Sequence, residues 1–229
     1  MEDEPVILSW SGGKDSTLAL ERCLGRHRWR VDTLLTTTSA AYDRISIHGV
    51  RRVLLHAQAE ALGLRVEEAR LPALASNPIY ESAFAAAIAR IQSRNPAIRR
   101  IVFGDLFLED IRAWRIEQVG KLGLEAVFPL WREPTRALAA EFLHKGFHAW
   151  VVSVDAARLP PQAAGREYDE EFLRLLPETV DPCGERGEFH TFVDAGPLFS
   201  RPVPVRPGER VAREGYVYAD LLPLEVPLT

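Results

Sequence analysis

Val6-Ile-Leu-Ser-Trp-Ser-Gly-Gly-Lys-Asp-Ser16 decides how this chain is read. Val6–Leu8 is a short β-prone apolar run, and Thr17-Leu-Ala-Leu-Glu-Arg-Cys-Leu24 has the composition of a helix. Between them the chain breaks into a glycine pair, a lysine, an aspartate and a hydroxyl. Gly12 and Gly13 let the backbone turn through conformations that bulkier residues resist, and let a ligand approach the main chain. The helix beyond offers unpaired N–H groups and its positive dipole end to an anion. Lys14 adds a point charge, and a charge-assisted bond to a phosphate oxygen is worth about 1.5–3 kcal/mol. Ser9, Ser11 and Ser16 place hydroxyl donors at the same turn. A strand, a glycine turn and a helix in this order make a phosphate cradle.

The common nucleoside-triphosphate loop carries a glycine five residues before its Gly-Lys pair, and Ser or Thr after the lysine. Here those positions are Leu8 and Asp15, so the turn is of another kind. A carboxylate inside a phosphate cradle repels the ligand unless a cation stands between them. Asp15 is therefore a candidate Mg²⁺ ligand, bridging through oxygen to phosphates. The alternative is a plain strand-to-helix turn in which Asp15 caps the helix.

The remaining composition narrows the class. A chain of 229 residues can bury a sizeable core in one large or two modest domains. Net charge is −4 with interspersed signs, which gives no long basic run for nonspecific nucleic-acid binding. Only three of the 28 basic residues are lysines, so the lysine in the turn stands out. Cys23 and Cys183 lie far apart with no Cys-x-x-Cys, which argues against a zinc site or a disulfide scaffold. The N-terminus is acidic, without an apolar signal core, and no apolar run approaches the ~18 residues of a membrane span. The expectation is a cytoplasmic protein with no membrane association.

Strand candidates follow at Val31–Thr36, Leu64–Ala69, Arg100–Phe103, Glu125–Phe128 and Ala149–Val154. Helices are expected at Gly49–Leu62, Ile79–Ser93, Arg112–Lys121 and Arg136–Lys145. The first of these is the clearest, with Val50, Val53, Leu54, Ala57 and Ala61 on one face and Gly63 as a stop. Such alternation indicates an α/β fold with a mostly parallel, Rossmann-like sheet, whose ligands bind beyond the carboxyl ends of the strands. After about residue 155 prolines crowd in. Phe189–Val193, Arg210–Ala212 and Gly215–Tyr218 read as short strands around one helix near Glu167–Leu176. The reading is a nucleotide domain over residues 1–154 and a small α+β C-terminal domain over 155–229.

Other segments carry polar chemistry. Gly104 and Asp105 follow a strand and belong at the carboxyl edge of the sheet, where Asp105 could hold Mg²⁺ or orient a nucleophile. Arg112 and Arg115, three apart, share a helix face; an acidic loop before a solvated helix is the plainer reading. Pro129-Leu-Trp131 suits an aromatic wall or core packing equally. Asp181-Pro-Cys-Gly-Glu-Arg-Gly-Glu-Phe-His-Thr191 is dense in groups that are costly to bury without partners. Glu185 and Glu188 there could bind a cation, deprotonate an amine or coordinate metal; a polar surface hairpin is the alternative. His48 opens the second helix, as a cap or as a contact for a nucleotide base.

Taken together, Ser11-Gly-Gly-Lys-Asp-Ser16, His48, Gly104-Asp105 with Arg112 and Arg115, Pro129-Leu-Trp131 and Cys183-Gly-Glu-Arg-Gly-Glu-Phe-His-Thr191 resemble the diphthine–ammonia ligase family. That family belongs to the ATP pyrophosphatases with a pyrophosphate-binding (PP) loop, and the resemblance runs from residue 6 to about residue 199. It implies a nucleotide α-hydrolase (HUP-type) fold with a five-stranded parallel sheet and a family-specific C-terminal domain. It implies cleavage of ATP between the α and β phosphates, to which the charge of Asp15 in the cradle adds Mg²⁺. A substrate carboxylate is adenylated, and ammonia then displaces AMP to leave an amide. The acceptor would be diphthine on translation elongation factor 2, or a related carboxylate.

By position, Ser11, Gly12, Gly13, Lys14, Asp15 and Ser16 would cradle the β and γ phosphates, with Asp15 carrying Mg²⁺. His48 would lie near the adenosine, and Gly104 and Asp105 would line the α-phosphate side. Glu185, Gly187 and Glu188 would face the acceptor's trimethylammonium group. Arg186 stands where the family form has glycine, and His190 where it has an acidic residue. Two other readings keep the turn: an enzyme adenylating a tRNA base, which commonly needs a reactive cysteine pair and a basic docking surface, and a nonenzymatic ATP sensor. A homodimer is an open alternative to a monomer.

Overall fold

A computed structural model describes residues 3–25, 29–73 and 75–224. Its residues group into two compact units. The first takes the described residues up to Ser11, then Asp15–Ser46 and Leu64–Arg132; the second takes Gly12–Lys14, Ile47–Gly63 and the described residues from Glu133 onward.

The first unit is built on five parallel strands. They are β1 (Glu4–Ser9), β2 (Trp29–Ser39), β4 (Arg65–Leu71), β5 (Arg100–Val102) and β6 (Glu125–Val127), in spatial order β4-β2-β1-β5-β6. A two-residue strand, β3 (Arg44–Ile45), pairs antiparallel with the end of β2. In β1, Val6, Ile7 and Leu8 are all fully buried, as a central parallel strand requires. Ile7, Leu35, Ala69 and Ile101 of the sheet pack against Phe84, Ile88 and Ile91 of helix α3 (Asn77–Arg94) and Val119 of helix α4 (Glu109–Lys121). Helix α1 (Lys14–Gly25) begins directly after the glycine turn. The α/β parallel sheet expected from the strand–helix alternation is present.

The second unit holds an antiparallel sheet of β7 (His148–Asp155), β8 (Phe189–Ala195), β9 (Val205–Arg213) and β10 (Tyr216–Pro223), in the order β8-β7-β10-β9. It also holds helices α2 (Arg52–Leu62), α5 (Thr135–His144) and α6 (Glu170–Leu175). The segment expected at Ala149–Val154 as a further strand of the parallel sheet is β7, and it pairs with β8 and β10 instead. Pairing partner is a tertiary property; the local sequence is equally β-prone in either sheet. Strand β9 runs longer than the expected Arg210–Ala212, passing through Pro207 and Gly208. As an edge strand it tolerates the missing N–H. It joins β10 through Glu214 and Gly215, whose φ angles of 51° and 84° suit a two-residue hairpin turn.

Helix boundaries moved for identifiable reasons. Helix α2 starts at Arg52 rather than Gly49, because Ile47 and Gly49 have φ angles of 67° and 69°, in the left-handed region no α-helix can use. Helix α6 starts at Glu170 because Asp169 caps it, accepting a 2.7 Å hydrogen bond from Phe172 N–H. Among the described residues no helix is long and apolar enough to cross a membrane.

Candidate active site

In the first unit the carboxyl ends of β1 and β5 lie side by side, since Ile7 and Leu8 pair with Ile101 and Val102. The chain leaving β1 is tied to β2: Trp10 N–H donates to the Leu35 carbonyl at 2.8 Å, and the Thr36 hydroxyl donates to the Trp10 carbonyl at 2.8 Å. The Ser11 and Ser16 hydroxyls stand 3.3 Å apart across the turn. The loop after β5 comes to backbone contact with that turn. A Cβ placed on Gly104 would meet the Asp15 carbonyl carbon and oxygen at 3.0 Å and Ser16 N at 3.1 Å. Gly104 is thus required by close approach, and it draws Asp15, Ser16 and Asp105 together.

Asp105 does not stand alone. Arg115 Nε is 3.0 Å from its Oδ1 and 2.9 Å from its Oδ2, and the Arg115 guanidinium lies over the Phe103 ring, 4.5 Å from its centre. The pairing cancels the charge of Asp105, which suits it to fixing Arg115 as much as to meeting a ligand. Arg112, one turn earlier, lies over Trp131 and Phe128, at 5.0 and 5.3 Å from the ring centres. Trp131 of the Pro129-Leu-Trp131 segment is therefore a seat for a cation.

In the second unit Gly12, Gly13 and Lys14 are clamped from β8 and α2. The Gly12 carbonyl accepts from Val193 N–H at 2.8 Å and from Gln58 Nε2 at 3.0 Å, while the same Nε2 donates to the Val193 carbonyl at 2.6 Å. Gly12 has φ 80°, and a Cβ there would come within 2.7 Å of Gln58 Oε1. A Cβ on Gly13 would meet the Thr191 carbonyl at 3.0 Å and His48 Cε1 at 3.2 Å. Lys14 N–H donates to Thr191 Oγ1 at 3.1 Å. The Lys14 ammonium is buried; it donates to the Cys183 carbonyl and lies 5.7 and 5.3 Å from the ring centres of Tyr168 and Phe189. Cation and aromatic faces attract, so this seat holds the charge at modest desolvation cost.

His48 sits in the turn before α2, and its Nδ1 is 3.1 Å from the Thr191 carbonyl. Its ring packs against His190, with centres 4.5 Å apart and planes tilted by 36°. Burial, reinforced by the nearby Lys14 charge, pushes His48 down to about 4. Burial and the charges of His48 and Lys14 hold His190 well below the usual imidazole range. Both rings are neutral at pH 7, so they offer flat aromatic faces and ring nitrogens rather than positive charge.

The Asp181–Glu188 loop is folded around two inward carboxylates. Glu188 is 2% exposed and accepts from Asp181 N–H at 3.1 Å and Arg186 N–H at 2.9 Å. Asp181 accepts from Cys183 N–H at 2.8 Å and from the Thr135 hydroxyl at 2.7 Å. Glu185 is half-buried and Arg186 exposed. Gly184 and Gly187 have φ angles of 68° and 82°, and a Cβ on Gly184 would strike the Phe189 carbonyl at 2.6 Å. The cluster is an ordered loop in which Glu188 binds backbone amides, leaving Glu185 as its less buried glutamate.

Sequence reasoning missed two residues here. Gln58 is completely buried on the apolar face of α2, beside Leu54, Leu55 and Ala61. An amide on an otherwise apolar helix stripe was the available signal, because such a group must find partners. Thr191 was quoted only as the end of a motif; nothing local marks a strand threonine as a hydrogen-bond hub. A group of three or more His, Cys, Asp or Glu side chains able to hold a metal is absent among the described residues. A single carboxylate such as Asp15 fits Mg²⁺ that arrives on phosphate oxygens and keeps waters, the usual manner of this ion.

Residues 5–126 match the diphthamide synthase N-terminal domain, and residues 134–221 match the diphthamide synthase C-terminal domain. The chain is 33% identical over 118 residues to a diphthine–ammonia ligase of Danio rerio, an alignment covering 49% of this chain and 46% of the relative. It is 26% identical over 233 residues to the diphthine–ammonia ligase of Bos taurus, covering 91% of this chain and 85% of that protein. A Schizosaccharomyces pombe relative of the same name is 29% identical over 121 residues, which is 51% of this chain but 20% of that much longer protein.

Proposed function

The chain belongs to the diphthamide synthase family, and from that premise we propose that it is an ATP-dependent ligase forming an amide from a carboxylate and ammonia. The acceptor carboxylate attacks the α-phosphorus of ATP, and the bond to the bridging oxygen breaks with release of pyrophosphate. Ammonia then adds to the acyl carbon of the mixed anhydride; AMP leaves, and the surplus proton passes to solvent.

The observation that carries this reading is the Ser11–Ser16 turn. Its glycines bring backbone close to neighbours that leave little space for a Cβ, and the Ser11 and Ser16 hydroxyls stand 3.3 Å apart at the start of helix α1. Preorganised donors of this kind stabilise charge without reorganising during the reaction. Ser11, Gly12, Gly13 and Ser16 would hold the outer phosphates as the leaving group, and the Lys14 ammonium would add charge on leaving its aromatic seat. Asp15 would hold Mg²⁺, which neutralises phosphate charge when bound. His48 and His190, neutral and in ring contact, suit the face of the adenine ring better than they suit phosphate.

The acceptor we propose is diphthine, the word contained in the names of the relatives, carried on elongation factor 2 as the family resemblance implies. Glu185 would attract its trimethylammonium group, while Glu188 keeps the loop in shape. The test is product analysis: purified protein with ATP, Mg²⁺, ammonium and diphthine-bearing elongation factor 2 should yield AMP and pyrophosphate in step with amide. Formation of ADP and phosphate instead would refute the adenylation chemistry. AMP formation with another carboxylate, but none with diphthine, would refute only the acceptor.

A further inference from the structure

Two arginines, one helical turn apart on α4, end in opposite circumstances. Arg115 Nε faces the Asp105 carboxylate at 2.9–3.0 Å. Arg112 Nε is buried with no hydrogen-bond partner among the described residues. A buried donor left in that state costs about as much as a lost hydrogen bond, so its retention calls for an explanation. The Arg112 guanidinium also lies in the angle between Phe128 and Trp131, whose rings are 6.0 Å apart at 62°. Aromatic faces fix a guanidinium in orientation and hold its positive charge without neutralising it, unlike a carboxylate.

Position gives the charge a use. Phe128 and Trp131 follow β6, and Asp105 follows β5, so the arginine pair stands over the carboxyl ends of neighbouring strands of the parallel sheet, the edge at which such sheets take ligands. Gly104 brings this same loop against the backbone of Asp15 and Ser16. A phosphate chain lying along the turn would continue toward this edge. Of the two arginines, Arg115 is paired with the Asp105 carboxylate and Arg112 is held by aromatic faces.

We propose that Arg112 is an anion-binding residue that receives the α-phosphoryl group of the nucleotide through the edge of its guanidinium, with Asp105–Arg115 and the Phe128–Trp131 corner as its positioning frame. The inference rests on the adenylate-forming reading for its ligand, and deepens it by placing the group at which the bond breaks. It is tested by equilibrium titration of the full chain with AMP and with adenosine, comparing wild type, Arg112→Gln and Arg112→Lys. Thermal melting checks that each variant is folded.

The glutamine variant should weaken AMP binding about tenfold or more while leaving adenosine affinity as in wild type, and the lysine variant should fall between, keeping charge without the planar fork. Equal AMP affinity in wild type and variants would overturn the proposal. So would equal loss for AMP and adenosine, which would mark Arg112 as a packing residue, or a wild type that does not bind AMP. If the glutamine variant does not fold, the lysine variant decides by the same comparison. Product analysis tests the ligase reading separately: an enzyme that releases ADP yet binds AMP through Arg112 would break that reading and leave this one.

Discussion

Replacing Gln58 by leucine removes one amide and, with it, part of the clamp on the glycine turn. Its Nε2 gives two hydrogen bonds within the second unit, 3.0 Å to the Gly12 carbonyl and 2.6 Å to the Val193 carbonyl. A buried hydrogen bond contributes about 0.5–1.5 kcal/mol net, so the pair is worth about 1–3 kcal/mol. Leucine is close enough in volume to leave no large cavity, which keeps the packing contribution small. The Gly12 carbonyl retains Val193 N–H at 2.8 Å, so the turn is loosened rather than released. For a chain of this size about 2 kcal/mol corresponds to a drop in melting temperature of roughly 4–8 °C. The assay is denaturant unfolding of wild type and Q58L, followed by the KM for ATP in AMP release. Expected are a lower denaturant midpoint at unchanged slope and a KM raised about threefold or more. A Q58L protein with wild-type midpoint and wild-type KM would show that the amide neither holds Gly12 nor supports the proposed phosphate cradle.

Lys14→Ala should abolish most ATP turnover and also lower the melting temperature, because the buried ammonium binds the Cys183 carbonyl as well as serving the turn; lost turnover with an unchanged melt would confine it to ligand binding. Glu188→Gln puts an NH₂ where a backbone N–H now donates, and is expected to cost about 1–3 kcal/mol of stability in chemical denaturation. Normal stability with acceptor-dependent turnover lost would return Glu188 to an acceptor-facing role. The His48 ring protons, followed by NMR, should titrate near 4 rather than 6.5. Folding therefore favours its neutral form, a contribution fully present above about pH 6.5 and lost as pH falls toward 4; a midpoint near 6.5 would contradict the burial. His148 has the opposite sign: its hydrogen bond to Asp194, 2.5 Å from Nδ1, raises its pKa above 6.5. Its contribution is complete below pH 6.5 and disappears as pH rises through the folded value. The stability difference between wild type and His148→Asn, measured by denaturation from pH 5.5 to 9, should shrink with rising pH.

Local chemistry made much of this protein legible. The order of apolar run, glycine pair, charge and helix around Gly12-Gly13 determined that a tight glycine turn would join the first strand to a helix, because the φ of 80° at Gly12 and the close approaches at Gly13 and Gly104 are demands on single residues. The period of apolar residues likewise gave the strands and helices of the parallel sheet. What tertiary structure alone decided is which groups meet. Ala149–Val154 reads as a strand, but only pairing assigns it to the antiparallel sheet. Glu188 and Glu185 look alike in sequence, yet one is buried and accepts from two backbone amides while the other is half-buried. Arg112 and Arg115 differ by three positions on one helix, and only the placement of Asp105, Phe128 and Trp131 gives the second a counter-ion and the first an aromatic corner. Sequence fixes conformational preference, which is a property of a residue and its neighbours; the partner that a buried polar group finds comes from residues tens of positions away, and no periodicity encodes it.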